Sequence, residues 1–114
     1  MGKRDDKIEA MIIEAKKLDL DITDDLISKV VIGLGPSLYK KNGETIACGK
    51  PTELENIKKN FLKKKLGLKN DDAELEKAIK EMCVKLGTSN RSKKKVHMYA
   101  LLAIKFDKVS IYDA

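Results

Sequence analysis

The chain has no tryptophan, two phenylalanines and three tyrosines in 114 residues, so aromatic side chains make up only 4% of it. A core built mainly from Leu, Ile, Val, Ala and Met favours helices over strands, whose pleated faces are usually rich in aromatic and β-branched residues. Long apolar runs are lacking too: nothing approaches the roughly 18 consecutive apolar residues that a membrane span needs. The opening MGKRDD has no signal-peptide stretch, and Asp6 stands where a myristoylation motif has Ser or Thr. A cytoplasmic location without membrane attachment is therefore expected. One histidine and two cysteines, Cys48 and Cys83, cannot supply the four or so convergent ligands of a zinc site. No metal or cofactor is expected. The cysteines lie far apart with no CxxC, and reduced thiols are the expectation in that compartment.

Glycine and proline are sparse, 7 and 2 respectively, and GLGPSLY at 33–39 is the main punctuation. Gly33 and Gly35 are expected to end one helix, and Pro36 to open a short new one. A dinucleotide fingerprint is excluded because Leu38 fills the third glycine position and no strand precedes the motif. Asp19, Asp21, Thr23 and Asp25 alternate like the start of a calcium loop. Asp24, however, stands where that loop needs Gly, and Val30 where it needs a closing Glu. Capping and solvated loop acids account for them better.

What the chain does have is charge. Charged residues make up 37% of the sequence and the net charge is +6, unevenly placed. Residues 1–48 hold 8 Lys/Arg against 9 Asp/Glu, and residues 49–114 hold 16 against 9. Such asymmetry points to an anionic partner or to a solubility device.

Apolar spacing predicts a helix over 3–17, with Ile8, Met11, Ile12 and Ala15 on one face. A second helix follows Thr23 as N-cap and buries Leu26, Ile27, Val30, Val31 and Leu34. The third opens at Pro51, with Thr52 and Glu55 at capping-box spacing, buries Leu54, Ile57, Phe61, Leu62 and Leu66, and stops at Gly67. On its wheel Lys58 and Lys65 fall inside the apolar stripe, either snorkelling to water or forming an anion site at the domain edge. The fourth spans 70–86, with Asp71 and Glu74 at capping spacing. Cys83 sits on its inner face as a small core residue.

The stretch SNRSKKKVHMYALLAIKF at 89–106 organises the rest. Val96, Tyr99, Ala100, Leu102, Ala103, Ile104 and Phe106 cover more than half of a helical surface, which places this helix at the centre of the fold. Ser89 or Asn90 is its expected N-cap, and Arg91, Lys93, Lys94 and Lys95 crowd its first turn with no acid nearby in sequence. Cations oppose the positive end of a helix dipole unless an anion is held there. Hydroxyls, backbone N–H groups and an arginine at that position suit a phosphate or carboxylate. The candidate anion site is therefore Ser89, Asn90, Arg91, Lys93, Lys94 and Lys95, with Lys58 and Lys65 as a second group.

His97 lies on the apolar helix, where a hydrogen-bonded, partly buried imidazole is the plain reading. A small enzyme pairing His97 with Cys48 or Cys83 is an alternative that would need a thiol close to the ring and open to solvent. A non-specific nucleic-acid backbone binder is another. Specific base reading is not expected, for want of a paired-helix turn and of stacking aromatics.

Three blocks, KVVIGLGPSLY at 29–39, PTELENIKKNFLKKKLGL at 51–68 and SNRSKKKVHMYALLAIKF at 89–106, resemble a family of small uncharacterised bacterial proteins classified as a domain of unknown function. The resemblance spans nearly the whole chain and implies a multihelical fold with a central helix. It transfers no functional residues. It departs at Met98-Tyr99, where the family pattern carries two aromatic residues. The expectation is a compact, multihelical, all-α single domain over 1–114, with a central C-terminal helix surrounded by the others. Its expected role is that of a non-enzymatic binding or interaction module whose basic surface takes an anionic ligand or a nucleic-acid backbone.

Overall fold

Asp5 and Asp6 at the start and Lys16 and Lys17 at the end complement the dipole of helix α1, which runs Lys3–Lys17 as the apolar spacing predicts. The computed structural model describes residues 3–35, 45, 46, 48–87 and 93–112. Met11 and Ala15 of α1 are buried, and Asp19 turns the chain out of the helix at φ 58°. Helix α2, Asp24–Leu34, begins where the Leu26 amide donates to the Thr23 hydroxyl at 3.1 Å, so the predicted cap forms. It buries Leu26, Ile27, Val30 and Val31. It also runs through Gly33, which was expected to end it; Gly35, at φ +58°, is the terminus. The short helix expected at Pro36 lies outside the described residues.

Helix α3, Pro51–Asn56, passes directly into a π-helical segment, Ile57–Lys65. Pro51 takes the first helical position, as predicted, but Lys50 is the N-cap and makes no side-chain cap. Thr52 is thereby already inside the helix, so the expected box with Glu55 cannot form, and Glu55 pairs instead with Lys58 and Lys59. In the π segment each turn holds more residues than an α turn, as the Leu66 amide shows by donating to the Phe61 carbonyl at 2.8 Å. Residues seven apart no longer superimpose. That is why Lys58 is buried and Lys65 is exposed, although an α-helical wheel puts both within the stripe.

Asp71 caps helix α4, Asp72–Lys85, by accepting from the Glu74 amide at 2.9 Å, again as predicted. Leu75, Ala78 and Ile79 form its buried face. Cys83 does not remain a free thiol. It is bonded to Cys48 with an S–S distance of 2.08 Å, contrary to the reduced state expected for both. Ile46 is buried and its amide donates to the Lys93 carbonyl at 2.8 Å, so the chain just before Pro51 is held at fixed depth and reaches α4 at Cys83. Nothing in the local sequence encodes that approach.

Helix α5, Lys95–Lys105, packs against α1, α2, α4 and a closing 3₁₀ turn, Val109–Tyr112. Val96, His97, Met98, Ala100, Leu101, Leu102 and Ala103 are all buried. Central placement of this helix thus holds, with two corrections. It starts at Lys95 rather than near Arg91, because Lys94 pairs with Thr45 as an isolated antiparallel bridge and keeps the chain extended up to that point. Ile104 is 42% exposed, because the burial that is complete through Ala103 ends there. Among the described residues there is no strand, and the fold is all-α, built of five helices and the 3₁₀ turn. The 13.2 Å radius of gyration matches the ~13 Å expected of a compact chain this long.

Truncating Leu102 to Ala removes a side chain with no exposed surface, and should cost about 2–5 kcal/mol in urea unfolding. Ile104→Ser should cost less than about 1 kcal/mol. Equal losses would contradict the burial pattern of α5.

Candidate functional site

The basic residues singled out from the sequence fall into three settings. Ser89, Asn90 and Arg91 lie outside the described residues. Lys93 and Lys94 are in the extended segment leading to α5, and Lys95 is the first helical residue. Lys94 is the N-cap but makes no side-chain cap; its ammonium turns to Glu14 of α1, at 3.6 Å, and its side chain is only 14% exposed. The acid missing from the local sequence is supplied across the fold.

Lys58 is the second setting, and carboxylates of the protein itself surround it. Its side chain is 5% exposed, and its ammonium meets Glu55 at 2.8 Å, Glu76 at 3.1 Å and Asp72 at 3.5 Å. The hydrogen bonds it donates to Glu55 and Glu76 raise its pKa above the ordinary lysine value. Glu55, beside Lys58, is held below the usual carboxylate range. Asp72 is held low chiefly by its contact with Lys63. Three carboxylates already surround Lys58. Its role is to tie the π segment to α4, and an incoming anion would have to displace carboxylates that already hold its ammonium.

Lys65 has a different setting. Its ammonium stands 5.1 Å from the centre of the Tyr112 ring, within cation–π range. With Lys29, Ile32, Gly33, Ile111 and Tyr112 it lines a cleft of about 340 Å³ between α2, the π segment and the 3₁₀ turn. A side chain at Gly33 would begin 3.2 Å from the Lys65 Nζ and 3.4 Å from the Tyr112 ring, so the missing Cβ keeps this wall open. Burial, with a smaller effect from Tyr99, pushes the Tyr112 hydroxyl above its usual range, so the ring brings no negative charge to the cleft. Lys29 also pairs with Asp25 at 2.9 Å, which leaves its side chain one-third exposed. Tyr112 and Gly33 were not legible as site residues. A glycine inside a helix, about 1 kcal/mol worse than alanine, was the one available signal of close approach.

His97 is fully buried, more deeply than the partly buried ring expected. Its Nε2 lies 2.8 Å from the Met11 carbonyl, which can only accept, so Nε2 carries the proton. Nδ1 is then a lone pair with no hydrogen-bond partner, 3.9 Å from a Glu14 carboxylate oxygen. No cysteine meets the ring, and both sulfurs are bonded to each other. The free thiol beside the imidazole that a His97–Cys pair needs is absent. Tyr99 does stack, but on Phe61 inside the protein, with ring centres 4.0 Å apart and planes 11° from parallel.

The architecture is that of a small all-α protein with a buried C-terminal helix, no helix long and apolar enough to cross a membrane among the described residues, and an apolar-floored cleft flanked by lysines. The family model described as "Protein of unknown function (DUF2853)" matches residues 12–110, and the chain belongs to that family. No curated protein matches it.

Burial holds the His97 pKa below its ordinary 6.5, against smaller upward effects from the Met11 bond and Glu14. The unfolded chain therefore binds more protons than the folded one as pH falls through about 6.5, and stability is lost on acidification below that value. Urea unfolding between pH 7.5 and 5.5 should show this decline. His97→Gln, which can still donate to Met11, should flatten it, and since the chain has one histidine the assignment is unambiguous. An equally steep decline in the variant would contradict a neutral buried ring.

Proposed function

We propose that this single-domain protein is a non-enzymatic binding module for an anionic partner, held at the cleft between α2 and the 3₁₀ turn. The observation that supports it most directly is the pairing of an apolar lining, Ile32, Ile111 and Tyr112, with the ammonium of Lys65 over the Tyr112 ring. A carboxylate or phosphate would meet the Lys65 ammonium while an apolar body lies on the isoleucines and the ring. The volume, about 340 Å³, falls in the range of small-ligand sites. Lys93 and Lys95 add to the general positive field of the later half of the chain, which draws anions to the surface without specifying one.

Benzoate and inorganic phosphate are suitable probes, followed by backbone amide NMR. Saturable shifts at Ile32, Gly33 and Ile111 are expected, with benzoate binding tighter than phosphate. Lys65→Gln should weaken binding about three- to fivefold, the size expected of one exposed ion pair. Gly33→Leu should block the cleft without altering charge or unfolding the protein. Absence of saturable shifts for both probes, or equal binding in the two variants and the native protein, would overturn the reading.

A further inference from the structure

The Cys48–Cys83 bridge plays no part in the cleft of Lys29 and Lys65, and its surroundings suggest more than a passive staple. Both cysteines are only partly buried. A separate cleft of about 390 Å³ opens beside the bridge, lined by Cys48, Gly49, Pro51, Leu54 and Lys80 among others. Gly49 leaves the approach to Cys48 unobstructed, since a Cβ there would meet nothing within 4 Å. Cys48 lines this cleft and Cys83 does not, so a reagent held in it meets Cys48 first. Lys80 lies three residues before Cys83 on the same face of α4 and lines the cleft. Glu55 and Glu76 line the same cleft.

We propose that Cys48–Cys83 is a redox-active latch, opened by a small thiol that enters this cleft and attacks Cys48. The thiolate of the incoming molecule forms a bond to the Cys48 Sγ. The Cys48–Cys83 bond breaks, and its electron pair leaves on Cys83 as a thiolate, which then takes a proton from water. A second thiol, the other end of a dithiol, attacks the sulfur of the reagent in the mixed disulfide and releases Cys48. The dithiol is oxidised to its disulfide while the bridge is reduced to two thiols.

Opening has a defined structural consequence. The bridge is the covalent tie between the segment preceding α3 and α4. Without it that segment keeps Ile46, anchored by burial and by its bond to Lys93, but loses its link to α4. The first turn of α3, whose Glu53 and Leu54 amides donate to the Lys50 carbonyl at 3.1 and 3.3 Å, then becomes the weak point. Helix α5 is not touched.

The test uses the folded, full-length protein. A brief exposure to 2-mercaptoethanol, trapped directly with a large excess of iodoacetamide at mildly alkaline pH, should place the mercaptoethanol adduct on Cys48 and the alkyl group on Cys83 in peptide mapping. Reduction by dithiothreitol, or the double variant Cys48→Ser/Cys83→Ser, should accelerate amide exchange at Glu53 and Leu54 by about tenfold while leaving Leu102 unchanged. A bridge that yields only in denaturant, an adduct on Cys83, or unchanged exchange at Glu53 and Leu54 would each overturn the proposal.

Discussion

From Val96 to Ala103 all residues but Tyr99 are withdrawn from water, and that burial of α5 is the constraint from which most of the structure follows. A helix with so little surface left for solvent needs covering on every side, and α1, α2, α4 and the 3₁₀ turn each supply a wall. It also needs an answer for its polar residue. The His97 imidazole cannot reach water, so its one N–H goes to the Met11 carbonyl and fixes α5 against α1 at 2.8 Å. Leaving Nδ1 as an unpartnered lone pair has an energetic cost. Filling it with a proton would be worse, because a buried cation loses more solvation than a Glu14 carboxylate 3.9 Å away returns. Neutral histidine is thus part of what keeps the core closed.

Much of this fold was legible in the sequence wherever local chemistry decides the outcome. The bounds of α1 follow from apolar spacing and end charges, and the caps of α2 and α4 from an oxygen three residues before an amide. What could not be read depends on partners far along the chain. The start of α5 is set by pairing of Lys94 with Thr45, so a helical extrapolation back to Arg91 overshoots. The bridge between Cys48 and Cys83 depends on how the segment around Ile46 docks. The single face expected to hold both Lys58 and Lys65 is lost for a subtler reason. An α-helical wheel misplaces residues that adopt wider turns, by an angle that grows with distance from the point of registration.

The candidate site was legible in part for the same reasons. Lysine-rich character and a role for Lys65 could be seen, but not the cleft, because Gly33, Lys65 and Tyr112 meet only when α2, the π segment and the last turn are assembled. The π segment itself contributes. By rotating Lys65 out of the stripe that holds Lys58, it separates two cations into different duties, one locked between helices and one beside an apolar cleft.

Charge pairing sharpens that division. The acids of the later half are largely drawn into structure: Glu55, Asp72 and Glu76 gather around Lys58, Asp72 also holds Lys63, Glu81 pairs with Lys105 at 2.8 Å, and Asp71 caps α4. Several of these pairings, Asp72 and Glu76 with Lys58, Asp72 with Lys63 and Glu81 with Lys105, neutralise lysines that join one helix to another. The excess of 16 basic over 9 acidic residues in this half must therefore appear on other lysines, at the surface. Exposed ammonium groups in water attract many anions weakly and select none, since solvent and salt screen them equally. Selectivity requires a cation placed beside a surface that water does not favour. Lys65, over the Tyr112 ring and beside Ile32 and Ile111, meets that condition, and this is the physical reason why the proposed anionic partner is assigned to that cleft rather than to the basic run before α5.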